Sequence, residues 1–287
     1  EYDDVMNAQR EVIYTRRRHA IFGERLTIDV GNMLYDTCES IVQQHMDSRD
    51  YAGFQLELLR ILAIECPVTE QEFMGGKEEQ ICDKVFTEAQ RYYRHKSQIV
   101  IDKTRDFIRN VFENQGATIQ NIVVPFTDGT KGIQVVANLK KCIESNGREL
   151  INSFEKSIIS IMIDDAWKEH LREMDDLKQS VQNAVYEQKD PLLIYKFESF
   201  ELFKKMLEAT NREIISFLFK GVIPQQDPNQ VREARPQPKP DMRNLRTSKS
   251  EVPEGSGAPQ NGPPAPPKIQ PVRVEQKVGR NDPCPCG

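Results

Sequence analysis

Between Ser157 and Phe219, apolar residues recur about every 3.6 positions in two successive stripes, the period of an amphipathic helix. The first stripe comprises Ile159, Ile163, Trp167, Leu171, Met174, Leu177, Val181 and Val185. The second comprises Leu193, Phe197, Phe200, Phe203, Leu207, Ile214, Phe217 and Leu218. Both stripes are predicted to pack in a core, which explains Trp167, Phe200 and their neighbours.

A polar stretch, Glu187-Gln188-Lys189-Asp190, separates the two stripes and is followed by Pro191. Because proline lacks an amide hydrogen and disfavours helix at the preceding residue, the first helix should end before Pro191. Asp190 is the predicted N-cap of the second helix, with Pro191 at its first position. The pattern therefore predicts a long helical hairpin with Tyr186 beside its tip.

The rest of the body is predicted to be mostly α. A weaker stripe predicts one helix over about 1–34; it comprises Val5, Ala8, Val12 and Thr15. Amphipathic segments follow over about 35–115, with breaks at Pro67 and Gly75-Gly76, and the last of them ends at Gly116. Residues 138–155 are again helical in pattern and lead into the hairpin.

Residues 117–137 differ from this pattern, because two runs rich in β-branched residues surround a turn sequence, Thr127-Asp128-Gly129-Thr130. They predict a small β-hairpin. The segment after Phe219 differs again, since 14 of the 17 prolines follow Gly221 and large apolar residues are few. Such a segment buries too little surface to offset its ordering entropy, and 221–277 is predicted to be a disordered, Pro-rich linker.

Charge and composition narrow the class of protein. The net charge is −5; ten basic and seven acidic residues follow Lys220, so the tail is +3 and the body −8. Neither value is typical of a duplex nucleic-acid binder. There is no apolar run of 18 residues and no signal peptide, and the start without Met suggests an excised fragment. Four scattered cysteines, Cys38, Cys66, Cys82 and Cys142, are expected to be mostly buried in a reducing, cytoplasmic compartment.

The common catalytic motifs are missing: there is no Walker loop, no Gly-x-Ser-x-Gly and no His-Glu-x-x-His. His170 has no partner histidine at the zinc-binding spacing, and we expect it on a helix surface. No catalytic residue is assigned. The pair Tyr92-Tyr93 lies among basic residues and could stack nucleic-acid bases, although helical spacing favours a core position.

The chain ends in Asp-Pro-Cys-Pro-Cys-Gly, which places two thiols, Cys284 and Cys286, two positions apart. Thiolates at this spacing suit zinc, but a structural zinc site needs four ligands. The other two would have to lie beyond Gly287, so this chain alone is expected to hold no zinc.

Three separated stretches resemble the SecA family, the motor ATPases of the bacterial Sec preprotein translocase. Glu1-Tyr2-Asp3-Asp4-Val5, with Asn7, Gln9-Arg10 and Tyr14, resembles the long scaffold helix of that family. Trp167-Lys168-Glu169-His170-Leu171, Met174-Asp175, Leu177, Tyr186 to Pro191, Tyr195-Lys196 and Glu198-Ser199-Phe200 resemble its two-helix finger. Val278–Gly287 resembles the opening of its zinc-binding tail.

The resemblance implies a domain organisation. Residues 1–34 and 148–220 would form the helical scaffold, with the finger at about 155–220, and 35–147 would form an inserted helical wing. Residues 221–277 would be the linker, and 278–287 a truncated zinc motif. The ATP- and Mg-binding motor domains would precede Glu1, so this fragment would not be an enzyme, whereas the full-length protein would be a protein-translocating ATPase.

The resemblance also implies site residues and partners. The finger would enter the SecYEG channel, and Tyr186 would contact the unfolded preprotein. Cys284 and Cys286 would be the first two zinc ligands of a tail that binds SecB and acidic phospholipids. The location would be cytoplasmic and peripheral, on the cytoplasmic face of the inner membrane, with no nucleic-acid partner.

Two alternatives to the translocase motor remain at this point. The chain could be a non-enzymatic helical adaptor with a tethered zinc knuckle. It could also be a single-strand nucleic-acid module that uses Tyr92-Tyr93, although the acidic body disfavours that function.

Overall fold

The computed structural model describes residues 2–23, 25–116, 118–182 and 190–224, all within the unit Glu1–Pro236. These residues form eight helices and one two-stranded antiparallel sheet, so the predicted mostly α fold with a small β-hairpin is confirmed. The elements in order are α1 (Tyr2–Phe22), α2 (Leu26–Ser48), α3 (Tyr51–Leu62), α4 (Glu70–Gly75), α5 (Glu78–Gln115), β1 (Asn121–Thr127), β2 (Gly132–Asn138), α6 (Leu139–Glu144), α7 (Arg148–Gln182) and α8 (Pro191–Lys220). The predicted disordered linker starts too early at 221, because residues 221–224 are described and Val222 pairs with Thr127. The rest of the predicted Pro-rich tail lies outside the described residues.

Helices α7 and α8 pack along each other as the predicted hairpin. The predicted cap of α8 is confirmed: the Leu192 amide donates to Asp190 Oδ1 at 2.9 Å, and Pro191 occupies the first turn. The cap satisfies one of the amide groups that a helix start leaves without a partner. The Trp167 side chain is buried, as its place in the first stripe predicts.

The predicted single helix over 1–34 is wrong, because α1 ends at Phe22 and α2 begins at Leu26. Gly23 adopts a φ of +72°, and its amide donates to the His19 carbonyl at 2.8 Å. A left-handed glycine after the last turn is a common helix stop. The predicted boundary between scaffold and wing, between residues 34 and 35, lies inside α2 and does not coincide with a helix end. The domain boundaries stay predictions.

The buried face of α1 is also rotated by one residue from the predicted stripe. Gln9, Ile13 and Ala20 are buried, whereas Val12 is exposed. The prediction followed apolar residues alone, and the buried face contains a polar residue, Gln9, at its centre.

The β-hairpin closes through the predicted turn, where Asp128 Oδ1 accepts the backbone amides of Thr130 and Lys131 at 2.9 and 2.7 Å. Its apolar face packs towards α7, with the ring of Phe126 stacked on that of Phe154 at 4.2 Å. The chain leaving α8 also pairs with the hairpin, because Thr127 and Val222 exchange two backbone hydrogen bonds of 2.8 Å. Backbone hydrogen bonds therefore join the end of β1 to the chain just after α8.

Helix α5 ends before Gly116 as predicted, and its middle packs on the end of α8. Tyr92 and Tyr93 stack on Phe219, with ring centroids 6.0 and 5.3 Å apart. The Lys96 amino group donates to the Leu218 carbonyl at 2.6 Å, and burial lowers the pKa of Lys96 to about 7. The two tyrosine rings are thus used in packing between helices, which is the core position that their spacing favours.

Replacing Gly147 tests a tight turn before α7. Gly147 has a φ of +88°, and an added Cβ would lie 2.8 Å from Ile101 Cγ2. Gly129 has a similar φ of +93° but open space around it. We expect Gly147→Ala to lower the free energy of unfolding by about 2–3 kcal/mol and Gly129→Ala by about 1 kcal/mol. Urea unfolding followed by the fluorescence of Trp167, the single tryptophan, measures both; equal losses would show that the Ile101 contact costs nothing.

A second test concerns Glu155, a buried residue of α7 that accepts a 2.8 Å hydrogen bond from the Tyr93 hydroxyl. Burial raises the pKa of this carboxyl, although the Tyr93 hydrogen bond partly offsets the effect. The folded protein therefore keeps this proton to a higher pH than the unfolded chain does. The contribution of Glu155 to the free energy of unfolding should fall as the pH rises above the ordinary glutamate pKa of about 4.3.

Glu155→Gln should reduce that fall, because the amide oxygen still accepts from Tyr93 but does not titrate. Urea unfolding at a series of pH values from about 4.5 to about 7.5 measures the slope. The exposed Glu198→Gln serves as the control for the loss of one carboxyl charge, and Glu155→Gln should reduce the slope more than this control does. An unaltered slope in Glu155→Gln would refute the assignment.

Candidate functional site: the α7–α8 hairpin and helix α1

Helix α1 lies against both helices of the hairpin. Towards the end of α7 and the start of α8, a small second core forms around Met174, Val181 and Tyr195. Tyr2 of α1 meets Tyr195 edge to face, with ring centroids 4.7 Å apart, and Lys178 of α7 lies 5.8 Å above the Tyr2 ring. The first turn of α1 therefore packs between the two helices, near the C-terminal end of α7 and the N-terminal end of α8.

One buried polar link joins the three helices. Gln9 Nε2 of α1 donates to the Ser199 carbonyl of α8 at 3.1 Å, and Gln9 Oε1 lies 2.9 Å from His170 Nε2 of α7. A backbone carbonyl only accepts hydrogen bonds, so the nitrogen of the Gln9 amide must face Ser199. The amide oxygen then faces His170, which must carry its proton on Nε2 to donate. The three partners thus fix the orientation of the amide and the tautomer of the imidazole.

The prediction that His170 lies on a helix surface is wrong, because its exposed fraction is 0%. The ring lies between Trp167 and Phe203, with centroid distances of 5.6 and 5.5 Å. The sequence contained a usable signal: His170 falls between Trp167 and Met174 on the buried stripe of α7, three residues after the first and four before the second. Metal-ligand spacing, on which the prediction was based, does not indicate that His170 is buried.

Burial lowers the pKa of His170, because it disfavours the charged imidazolium. The second ring nitrogen, Nδ1, is buried and has no hydrogen-bond partner among the described residues. The Glu173 carboxylate is 3.8 Å from it, too far for a hydrogen bond. Among the described residues, the neutral imidazole therefore makes its hydrogen bond through Nε2 alone.

The first half of α8 exposes three large apolar side chains: Leu193 (54% exposed), Phe197 (68%) and Phe200 (63%). We call these three residues the exposed stripe. Their predicted place in the core is wrong, including that of Phe200. At about 100° per residue, the exposed stripe lies about 100° or more around α8 from Ser199, which faces α1 and α7. The second apolar pattern therefore combines a buried face near the end of α8 with an exposed face near its start.

The predicted site residues Tyr186, Cys284 and Cys286 lie outside the described residues, so their roles stay predictions. In the described ranges, no group of three or more His, Cys, Asp or Glu side chains could hold a metal ion. Cys38, Cys82 and Cys142 are buried as expected, and Cys66 is partly buried. Burial raises the pKa of the Cys82 and Cys142 thiols to about 11, which keeps them protonated and unreactive at neutral pH. None of the described helices has the length and apolar composition needed to span a membrane.

Comparison with known proteins identifies the family. The family model "SecA Wing and Scaffold domain" matches residues 1–221. The protein translocase subunit SecA of Porphyromonas gingivalis W83 is 44% identical over 311 residues, which cover 100% of this chain and 27% of the relative. SecA of Flavobacterium psychrophilum is 53% identical over 234 residues, covering 82% of this chain and 21% of the relative. SecA of Bacteroides fragilis is 44% identical over 299 residues, covering 100% and 27%.

The chain thus spans about a quarter of the length of the curated relatives it matches. The matched region contains α1, the β-hairpin, and the α7–α8 pair whose packing is described above. The chain therefore belongs to the SecA family and contains its wing and scaffold domain.

Proposed function

We propose that this chain is the part of an ATP-driven preprotein translocase motor that transmits movement to a substrate-contacting helical hairpin. The observation that carries the proposal is the packing of α1 against both α7 and α8, through the small core and the Gln9 link. A helix held on two sides moves both partners when it moves. ATP and Mg would be bound by domains of the longer protein that are separate from this chain.

The hairpin would contact the preprotein through Tyr186 and through the exposed stripe. A translocase must accept many sequences, so its contacts must be strong without demanding one partner side chain. Aromatic rings supply such contacts, because they present a large apolar surface and tolerate varied neighbours. Exposed large apolar residues grouped on one helix face are typical of interaction surfaces.

The remaining partners are proposed from family membership. The hairpin would act at the SecYEG channel, on the cytoplasmic face of the inner membrane. Cys284 and Cys286 would supply two thiolate ligands to one zinc ion, completed by two ligands beyond Gly287, and this tail would bind SecB or acidic phospholipids. Relatives named protein translocase subunit favour the motor over the adaptor alternative.

Tyr186→Ala in the complete protein tests the tip contact. We expect preprotein transport into vesicles with purified channel to fall by about tenfold, since an aromatic anchor contributes up to 1.5 kcal/mol beyond its buried area. Nucleotide binding should be unchanged. Tyr186→Phe keeps the ring and should retain most of the transport. Normal transport by Tyr186→Ala would contradict the tip role.

Phe197→Ser in the complete protein tests the exposed stripe. Because the Phe197 side chain is 68% exposed, the substitution should change the free energy of unfolding by less than about 0.5 kcal/mol. Transport should fall about two- to tenfold if the ring contacts substrate or channel. Leu56→Ser on α3 is the matched control, since Leu56 is also 68% exposed, and it should transport normally. Equal behaviour of the two variants would remove the exposed stripe from the contact surface.

A further inference from the structure

We propose that Gln9 is a positioning residue that fixes the register of α1 against both hairpin helices, through its hydrogen bonds to His170 and the Ser199 carbonyl. The inference rests on the proposed coupling function and assigns that coupling to one side chain. The inference is based on the position of the Gln9 side-chain amide. Among the described residues, Gln9 is the one buried polar side chain of α1 that contacts both α7 and α8.

The chemistry of the link requires glutamine. The side chain must donate at one end, to a carbonyl, and accept at the other, from the imidazole Nε2. Glutamate could accept from His170 but could not donate to Ser199, and leucine could do neither. The two contacts therefore specify an uncharged amide of this length.

Burial makes the link sensitive to sliding. Gln9, His170 and Ser199 are buried, with exposed fractions of 7%, 0% and 0%, so water does not replace a broken contact. Sliding α1 by one residue, about 1.5 Å, would lengthen both hydrogen bonds beyond their normal range. Apolar contacts such as those of Met6 and Ile13 are non-directional and oppose such a shift less strongly.

Two of the polar contacts that α1 makes with the described hairpin, those of Arg16 and Arg17, are more accessible to solvent. Arg17 pairs with Asp164 at 3.0 Å, with side chains 45% and 36% exposed, and Arg16 donates to Asn211 Oδ1 at 3.3 Å in a partly buried setting. Each contacts a single hairpin helix. Exposed ion pairs contribute little because water and salt compete with them. The register of α1 against both helices therefore depends on Gln9.

The test measures, in the complete protein, the length of polypeptide transported per ATP hydrolysed. Gln9→Leu should lower this ratio by about five- to tenfold, the lower range of typical coupling between sites. Gln9→Glu should fail similarly, because the donor to Ser199 is lost. His170→Phe keeps a ring but loses the donor and should also fail, whereas His170→Gln can donate to Gln9 Oε1 and should restore most of the ratio. Gln44→Leu, an exposed glutamine of α2, is the control.

A purely structural role predicts a different outcome. General destabilisation would lower transport and ATP hydrolysis together, so the ratio would stay constant, and His170→Gln would not differ from His170→Phe. A normal ratio in both Gln9→Leu and His170→Phe overturns the inference. If Gln9→Leu does not fold, the two His170 variants decide the question.

A separate measurement distinguishes failure of the inference from failure of the proposed function. If the unsubstituted complete protein does not transport, the proposed function fails and the ratio has no meaning. Hydrogen exchange then tests the link alone: Gln9→Leu should accelerate amide exchange about tenfold both in α1 and around Ser199 in the first half of α8, relative to Gln44→Leu. Acceleration confined to α1 would show that Gln9 does not join the helices.

Discussion

The packing of α1 between α7 and α8 is the contact on which the described architecture depends. Apolar residues supply most of the buried surface, but non-directional apolar contacts oppose a shift of the helices along one another less strongly than hydrogen bonds do. The Gln9 amide adds a directional contact to each partner. Because unsatisfied buried polar groups are costly, these two hydrogen bonds oppose a shift of α1 along α7 and α8.

Helix α8 takes two different environments along its length. Its second half packs against α2, α3 and α5, where Arg212 pairs with Glu57 and Phe219 stacks on two tyrosines. Its first half packs only its inner face and leaves the exposed stripe in solvent. Helix α8 therefore has a second half that is packed against other helices and a first half that exposes apolar surface. The β-hairpin strengthens the second half further by pairing with Val222 just after α8.

Local chemistry predicted the features that depend on a few neighbouring residues. The Asp190 cap, the Asp128 turn and the end of α5 before Gly116 follow from side-chain and backbone preferences within four residues. Tertiary contacts decided the rest. His170 is buried because α1 supplies Gln9 from 161 residues away, and Phe200 is exposed because α1 and α7 occupy a different side of α8. Hydrophobic periodicity in one segment does not contain that information.

Under the proposed function, the buried link and the exposed stripe would impose opposite requirements on the same hairpin. A contact that transmits displacement must be specific, because a helix that slides along its partner does not displace it. A buried amide with one donor and one acceptor meets that requirement. A contact that accepts many polypeptide sequences must be non-specific, which exposed aromatic side chains allow. The specific contact lies on the inner face of α8, at Ser199, and the exposed rings of Phe197 and Phe200 lie on its outer face, so one helix could satisfy both requirements of the proposed function.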